Sequence, residues 1–153
     1  MATTASLYDM AKRDLTIEGI RRFGEAQLRV TGTSMLPAVW PGDVIVVRRK
    51  RVTDLAVGQV ALCYRNGSFL AHRVVARSPN AIITSGDSLP YDDPQFCDTE
   101  VLGEVTSILR NGKAVAMCPC RRQRIIFRIA RCSELCTRIL LRLYRPARAS
   151  WTA

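Results

Sequence analysis

The sequence predicts a compact, mainly β body with an α-helix at each end. Three observations carry that prediction. Between residues 27 and 117, short apolar, Val- and Ile-rich runs alternate with Gly, Pro and Asn turn signals. Two Asn-Gly pairs, Asn66-Gly67 and Asn111-Gly112, mark hairpin turns. On either side of this stretch the apolar spacing changes from that of a strand to that of a helix.

Over residues 5–25, Leu7, Met10, Ala11, Leu15, Ile17, Ile20 and Phe23 recur at helical spacing, and Gly24 is placed to stop the helix. Residues 27–31 alternate as a strand. Pro41-Gly42 then launches a strand over 43–48. A two-residue turn at Asn66-Gly67 pairs Arg65 with Ser68 and Ala61 with His72. Leu70, His72 and Val74 therefore share one strand face, so the single histidine lies on an apolar face. Residues 81–85 and 101–109 are further strands, and Asn111-Gly112 turns the chain into 114–117. From 121 to 145 the spacing is helical again. Ile125, Ile129, Cys132, Cys136, Ile139, Leu140 and Leu143 fall on one side, with Arg131, Arg138, Arg142 and Arg145 on the other. The expected segments are a helix within 1–26, a β-domain over 27–117, and a basic amphipathic helix and tail over 118–153.

Charge is unevenly placed. The formal net charge of the 153 residues is +10. Residues 110–153 hold 11 Lys and Arg against the lone acid Glu134, whereas residues 1–109 balance 12 basic with 12 acidic residues. A neutral body suits a peptide better than a polyanion, and no nucleic-acid partner is expected. The tail helix has two readings: packing on its own domain, or contact with a membrane surface or an acidic partner. The longest apolar stretch, 125–144, is interrupted by Arg128, Arg131, Glu134, Arg138 and Arg142, so no membrane span is expected. The first residues lack the apolar segment of a signal peptide. The expected location is cytoplasmic, with peripheral membrane contact through 121–145. The six cysteines are expected as reduced thiols. Cys118-Pro-Cys120 is too closely spaced for a usual zinc site, and no metal or cofactor is expected.

Three polar stretches carry the chemistry. In Gly32-Thr33-Ser34-Met35-Leu36-Pro37 a serine is held in a tight turn, where its hydroxyl can be exposed and backbone N–H groups can face an oxyanion. Turn serines also arise from local hydrogen bonding alone. In Leu70-Ala71-His72-Arg73-Val74-Val75, His72 is a group suited to accept a proton near neutral pH, or a satisfied core histidine. Ser85-Gly86-Asp87-Ser88-Leu89-Pro90-Tyr91-Asp92-Asp93 crowds three carboxylates into one loop, and one of them can orient His72.

Taken together, Val30-Thr31-Gly32-Thr33-Ser34-Met35-Leu36-Pro37, Gly42-Asp43, His72-Arg73-Val74-Val75, Gly86-Asp87 through Asp93, and Gly103-Glu104-Val105 resemble the type I signal peptidases in order and spacing. The resemblance spans roughly residues 28–108 and is to the branch typical of archaea and the endoplasmic reticulum, which has histidine where common bacterial enzymes have lysine. It implies a signal-peptidase-like β-fold, with Ser34 as nucleophile, His72 as general base and Asp93 as the acidic member. Asp87 is the alternative acid or a supporting residue. It further implies an oxyanion hole using the Ser34 N–H, a peptide or protein substrate bound as an extended strand, and cleavage after small side chains. The chain is expected to depart from that family in lacking an N-terminal membrane anchor and in having little room for an inserted second β-domain. The substrate is then expected to be a cytoplasmic or peripheral protein, with the basic tail helix as a substitute for the anchor.

Three rivals share part of this pattern. Self-cleaving repressors have a related serine box but use a lysine base, and the nearest lysine here, Lys50, follows the strand over 43–48. The tetrapeptide Gly86-Asp87-Ser88-Leu89 suggests an esterase with Ser88 as nucleophile, but such enzymes need a histidine downstream, whereas His72 lies upstream. A catalytically silent peptide-binding module of the same fold is the non-enzymatic alternative.

Overall fold

Asn66 and Gly67 adopt φ of 52° and 76°, and Asn111 and Gly112 adopt 51° and 74°. These are the left-handed backbones that a two-residue hairpin turn demands and that Asn and Gly tolerate best. The structure, a computed structural model, describes residues 4–115. In it each Asn-Gly pair joins two antiparallel strands: β3 (Val60–Arg65) to β4 (Ser68–Ser78), and β7 (Val101–Arg110) to β8 (Lys113–Val115). The first hairpin has the register its turn predicts, with Arg65 opposite Ser68 and Ala61 opposite His72.

The remaining elements are α1 (Thr4–Phe23), β1 (Glu25–Arg29), β2 (Val44–Arg49), β5 (Ala81–Ser85), β6 (Phe96–Cys97) and a short 3₁₀ turn at Val52–Asp54. All eight strands form one antiparallel sheet in the order β1-β2-β7-β3-β4-β5-β6, with β8 on β7. The fold is therefore mainly β with an N-terminal helix. Among the described residues no helix is long and apolar enough to cross a membrane.

Period-two alternation explains why the central strands read as continuous apolar runs. Along β3, Val60 and Leu62 enter one core with Val47, Val105 and Ile108. Ala61 and Cys63 enter a second core with Leu55, Val74, Ile82 and Phe96 on the opposite face. Each fully buried aliphatic side chain contributes about 1.5–3 kcal/mol. Ile17 and Ile20 dock α1 on the first core. Gly24, at φ 77°, ends the helix by donating its N–H to the Ile20 carbonyl at 3.0 Å.

Several boundaries differ from expectation. Of the residues assigned to the apolar stripe of α1, Met10, Leu15 and Phe23 are exposed. Leu15 lies about 200° around the helix from Ile17, so the two cannot share a face. Met10 lies about 15 Å along the axis from Ile20, the residue that seals the contact. β1 runs two residues earlier than the expected 27–31, because the Gly24 turn leads directly into it. β6 and the Val52–Asp54 turn have no clear sequence signal. The expected helix over 121–145 and the Cys118–Cys120 pair lie outside the described residues.

Among the described residues β6 and β8 each pair on one side only, and two further edges are open. β1 pairs only with β2. β4 pairs with β3 through Ser68–Arg73, but with β5 only from Arg73 onward. The outer edge of β4 from Ser68 to His72 thus has no strand partner among the described residues, and a register shift between Val74 and Ala76 bends the strand just beyond.

Candidate active site

Ser34 lies in the loop between β1 and β2, and the base of that loop is closed by hydrogen bonds. Val30 N–H donates to the Asp43 carbonyl at 2.8 Å, and Gly42 N–H donates to the Val30 carbonyl at 2.7 Å. Gly42 takes φ 96°, a left-handed value that favours glycine at this turn. The buried Asp43 carboxylate accepts the Trp40 N–H at 2.8 Å and pairs with Arg110 at 2.8 Å. The Pro41-Gly42-Asp43 turn is therefore a clamp on the serine loop, fastened to β7 through Arg110.

His72 is almost wholly buried, with 2% of its surface exposed. Its Nε2 lies 2.8 Å from Ser34 Oγ, and its Nδ1 lies 2.6 Å from Asp93 Oδ2. An ionised carboxylate only accepts, so Nδ1 carries the ring proton and Nε2 presents a lone pair to the Ser34 hydroxyl. Ser34 and Asp93 lie 38 and 21 positions from His72 along the chain, so tertiary structure alone joins them.

Asp93 is held twice by Thr84. The Thr84 hydroxyl donates to Asp93 Oδ2 at 2.6 Å, and the Asp93 N–H donates to the Thr84 carbonyl at 2.8 Å. Thr84 is buried on β5 and carried no functional signal in the sequence. A β-branched residue in a strand reads as packing until the partner of its hydroxyl is known.

Asp87 is engaged elsewhere. Arg73 grips it with two hydrogen bonds, Nε to Oδ1 at 2.8 Å and Nη2 to Oδ2 at 2.7 Å, and also donates to the Gly58 carbonyl at 2.7 Å. Of the two carboxylates offered by the sequence, Asp93 therefore meets the histidine and Asp87 anchors its loop to β4 beside it. That loop leans on the serine turn. Ser88 N–H donates to the Ser34 carbonyl at 2.9 Å, and Ser88 Oγ donates to the Thr33 carbonyl at 3.0 Å. A methyl group built on Gly86 would lie 2.8 Å from the Ser34 carbonyl oxygen, so only glycine fits there without displacement.

The rival residues have other partners. Lys50 forms an ion pair with Glu104 at 2.6 Å, and Ser88 bonds the serine loop instead of the histidine. Burial pushes the Cys63 thiol up to about 12, and the charges of Asp93 and Glu100 add to the effect. This thiol stays protonated and does not compete as a nucleophile. Among the described residues no group of three or more His, Cys, Asp or Glu side chains is arranged to hold a metal ion.

A groove of about 400 Å³ opens beside Ser34. One wall is the chain from Leu28 to Ser34 and the other is Ser68–Ala71 of β4; Met35, Val39, Ile45 and Leu62 line its apolar interior. Among the described residues nothing accepts the Ser34 N–H. Compared with known proteins, the chain matches no family model and no curated protein.

Proposed function

We propose that this protein is a serine endopeptidase of the signal-peptidase type, with Ser34 as nucleophile, His72 as general base and Asp93 as the acid that orients it. The observation that carries the reading is the continuous relay from Ser34 Oγ to His72 Nε2 at 2.8 Å and from His72 Nδ1 to Asp93 Oδ2 at 2.6 Å. A turn serine does not require a buried imidazole and carboxylate in line behind it, whereas acyl transfer does. The signal-peptidase form of the fold is part of the same proposal, supported by a β-sheet that brings the serine box and the histidine strand to one groove.

In the proposed reaction a substrate strand lies between the Leu28–Ser34 wall and the open edge of β4, pairing with their main chains. The apolar interior at Met35, Val39 and Leu62 favours small apolar side chains near the cleaved bond. Ser34 Oγ attacks the scissile carbonyl carbon while its proton passes to His72 Nε2. The Ser34 N–H donates to the oxyanion that forms. The C–N bond then breaks as His72 returns the proton to the leaving amine, giving an ester on Ser34. Water adds to that ester, its proton taken by His72, and the acid product leaves with Ser34 restored. Asp93 stabilises the imidazolium in both halves, and Thr84 and the Arg73–Asp87 pair hold the parts in register.

The test is a comparison of peptide termini in cells carrying the active protein and in cells carrying Ser34→Ala. Termini that follow small residues and vanish with Ser34→Ala are the expected result. Identical terminal profiles would refute the reading.

A further inference from the structure

We infer that Arg13 and Arg29 select substrates with an acidic side chain about four residues from the cleaved bond, an inference that rests on the peptidase reading. Both arginines line the groove that holds Ser34, and no Asp or Glu does. Neither side chain has a hydrogen-bond or ion-pair partner among the described residues. That sets them apart from the other arginines around this sheet: Arg65 grips Glu100, Arg73 grips Asp87 and Arg110 grips Asp43.

Their position fixes where the acid belongs. Arg13 comes from α1, and its Nη1 would lie 3.7 Å from a methyl group built on Gly67, so the guanidinium sits over the turn that begins β4. Arg29 ends β1 on the opposite wall. Along β4 from His72 back to Ser68 is four residues, or about 13 Å at strand rise. A substrate strand in the groove rises at the same rate, so its fourth residue from the scissile bond comes level with Arg13 and Arg29. The groove thus pairs an apolar interior beside Ser34 with a cationic far end, which fits a segment with small apolar residues near the cut and one Glu or Asp farther along. Guanidinium is suited to such a pairing because it can present two parallel N–H donors to a carboxylate.

The experiment measures binding and chemistry separately on the full chain. Binding to the Ser34→Ala variant is read by fluorescence anisotropy with a set of Ala-rich decapeptides. A single Glu, Gln or Lys is stepped through each position on both sides of a central Ala-Ala. A Glu-over-Lys preference of about three- to tenfold at one position, four or five residues from the centre, is expected for partly exposed ion pairs. It should fall below about twofold when Arg13→Gln and Arg29→Gln are added, and should weaken in about 0.5 M salt, where the screening length is only a few Å. No positional preference, a preference for Lys, or a Glu preference that survives the double substitution would overturn the inference. Labelling of the unsubstituted protein by a fluorophosphonate probe, lost in Ser34→Ala, tests the peptidase reading on its own. Labelling without the Glu preference sinks only the specificity. The Glu preference without labelling sinks the peptidase and leaves an acid-selective peptide groove.

Discussion

Gly86→Ala isolates the contact that couples the Asp-bearing loop to Ser34. The new methyl group would lie 2.8 Å from the Ser34 carbonyl oxygen and 2.9 Å from the Leu89 side chain. Leu89 can rotate aside, but the Ser34 carbonyl is backbone and is also held by the Ser88 N–H at 2.9 Å. Reaching ordinary van der Waals contact requires a retreat of about 0.6 Å. A shift of that size takes the 2.8 Å Ser34–His72 hydrogen bond to the edge of useful geometry. Misplacement by about 1 Å costs around a hundredfold in rate, so a loss of roughly ten- to a hundredfold is expected, with about 1–3 kcal/mol of overpacking lost from stability. The assay is the second-order rate of Ser34 phosphonylation by a fluorophosphonate, with thermal unfolding of both proteins as control. A rate within about twofold of the parent and an unchanged Tm would show that the loop does not press on the serine.

Asp93→Asn is expected to slow phosphonylation by about 10²–10⁴ with little change in Tm, because the role proposed for the acid is to hold and charge-stabilise His72. Asp87→Asn should instead lower stability by about 2–3 kcal/mol in chemical denaturation, since it leaves the mostly buried Arg73 guanidinium half-paired. A larger rate loss for Asp87→Asn than for Asp93→Asn would reverse the two assignments. In iodoacetamide mapping at about pH 8, Cys97, which is exposed, should alkylate in the folded protein while Cys63 does not, because burial holds its thiol at about 12. Modification of Cys63 at the rate of Cys97 without unfolding would contradict that burial. Arg65 holds the Glu100 carboxyl down from 4.5 to about 2. A lowered folded value means the stabilisation is complete above pH 4.5 and fades as pH falls toward 2. The pair is partly exposed, so it amounts to a few tenths to about 1 kcal/mol. Urea unfolding at about pH 6 and about pH 3 should show this increment in the parent and its absence in Arg65→Gln.

Local chemistry made part of the fold legible. Asn66-Gly67 set both turn and register, so the pairing of Ala61 with His72 followed from two residues, and β5 falls on residues 81–85 as its composition indicates. The exposure of Leu15 was legible from its angle to Ile17, but that of Met10 was not, because helical spacing says which residues share a face and not how far the sheet extends beneath them. The bend in β4 after Val74 also escaped, since alternation assumes one residue per pairing step. At the site, residue types pointed to Ser34, His72 and a carboxylate. The choice between Asp87 and Asp93 required knowing that Arg73 claims the first and Thr84 secures the second. Arg110, 67 residues from Asp43, clamps the serine loop across the sheet, a contact with no local signature.

The most direct measurement is the site of covalent modification by a fluorophosphonate on the folded 153-residue chain. Peptide mapping by mass spectrometry should place a single phosphonyl adduct on Ser34, absent from Ser34→Ala and strongly reduced in His72→Ala. An adduct on Ser88, modification that survives His72→Ala at the parental rate, or no modification from mildly acidic to alkaline pH would contradict the account.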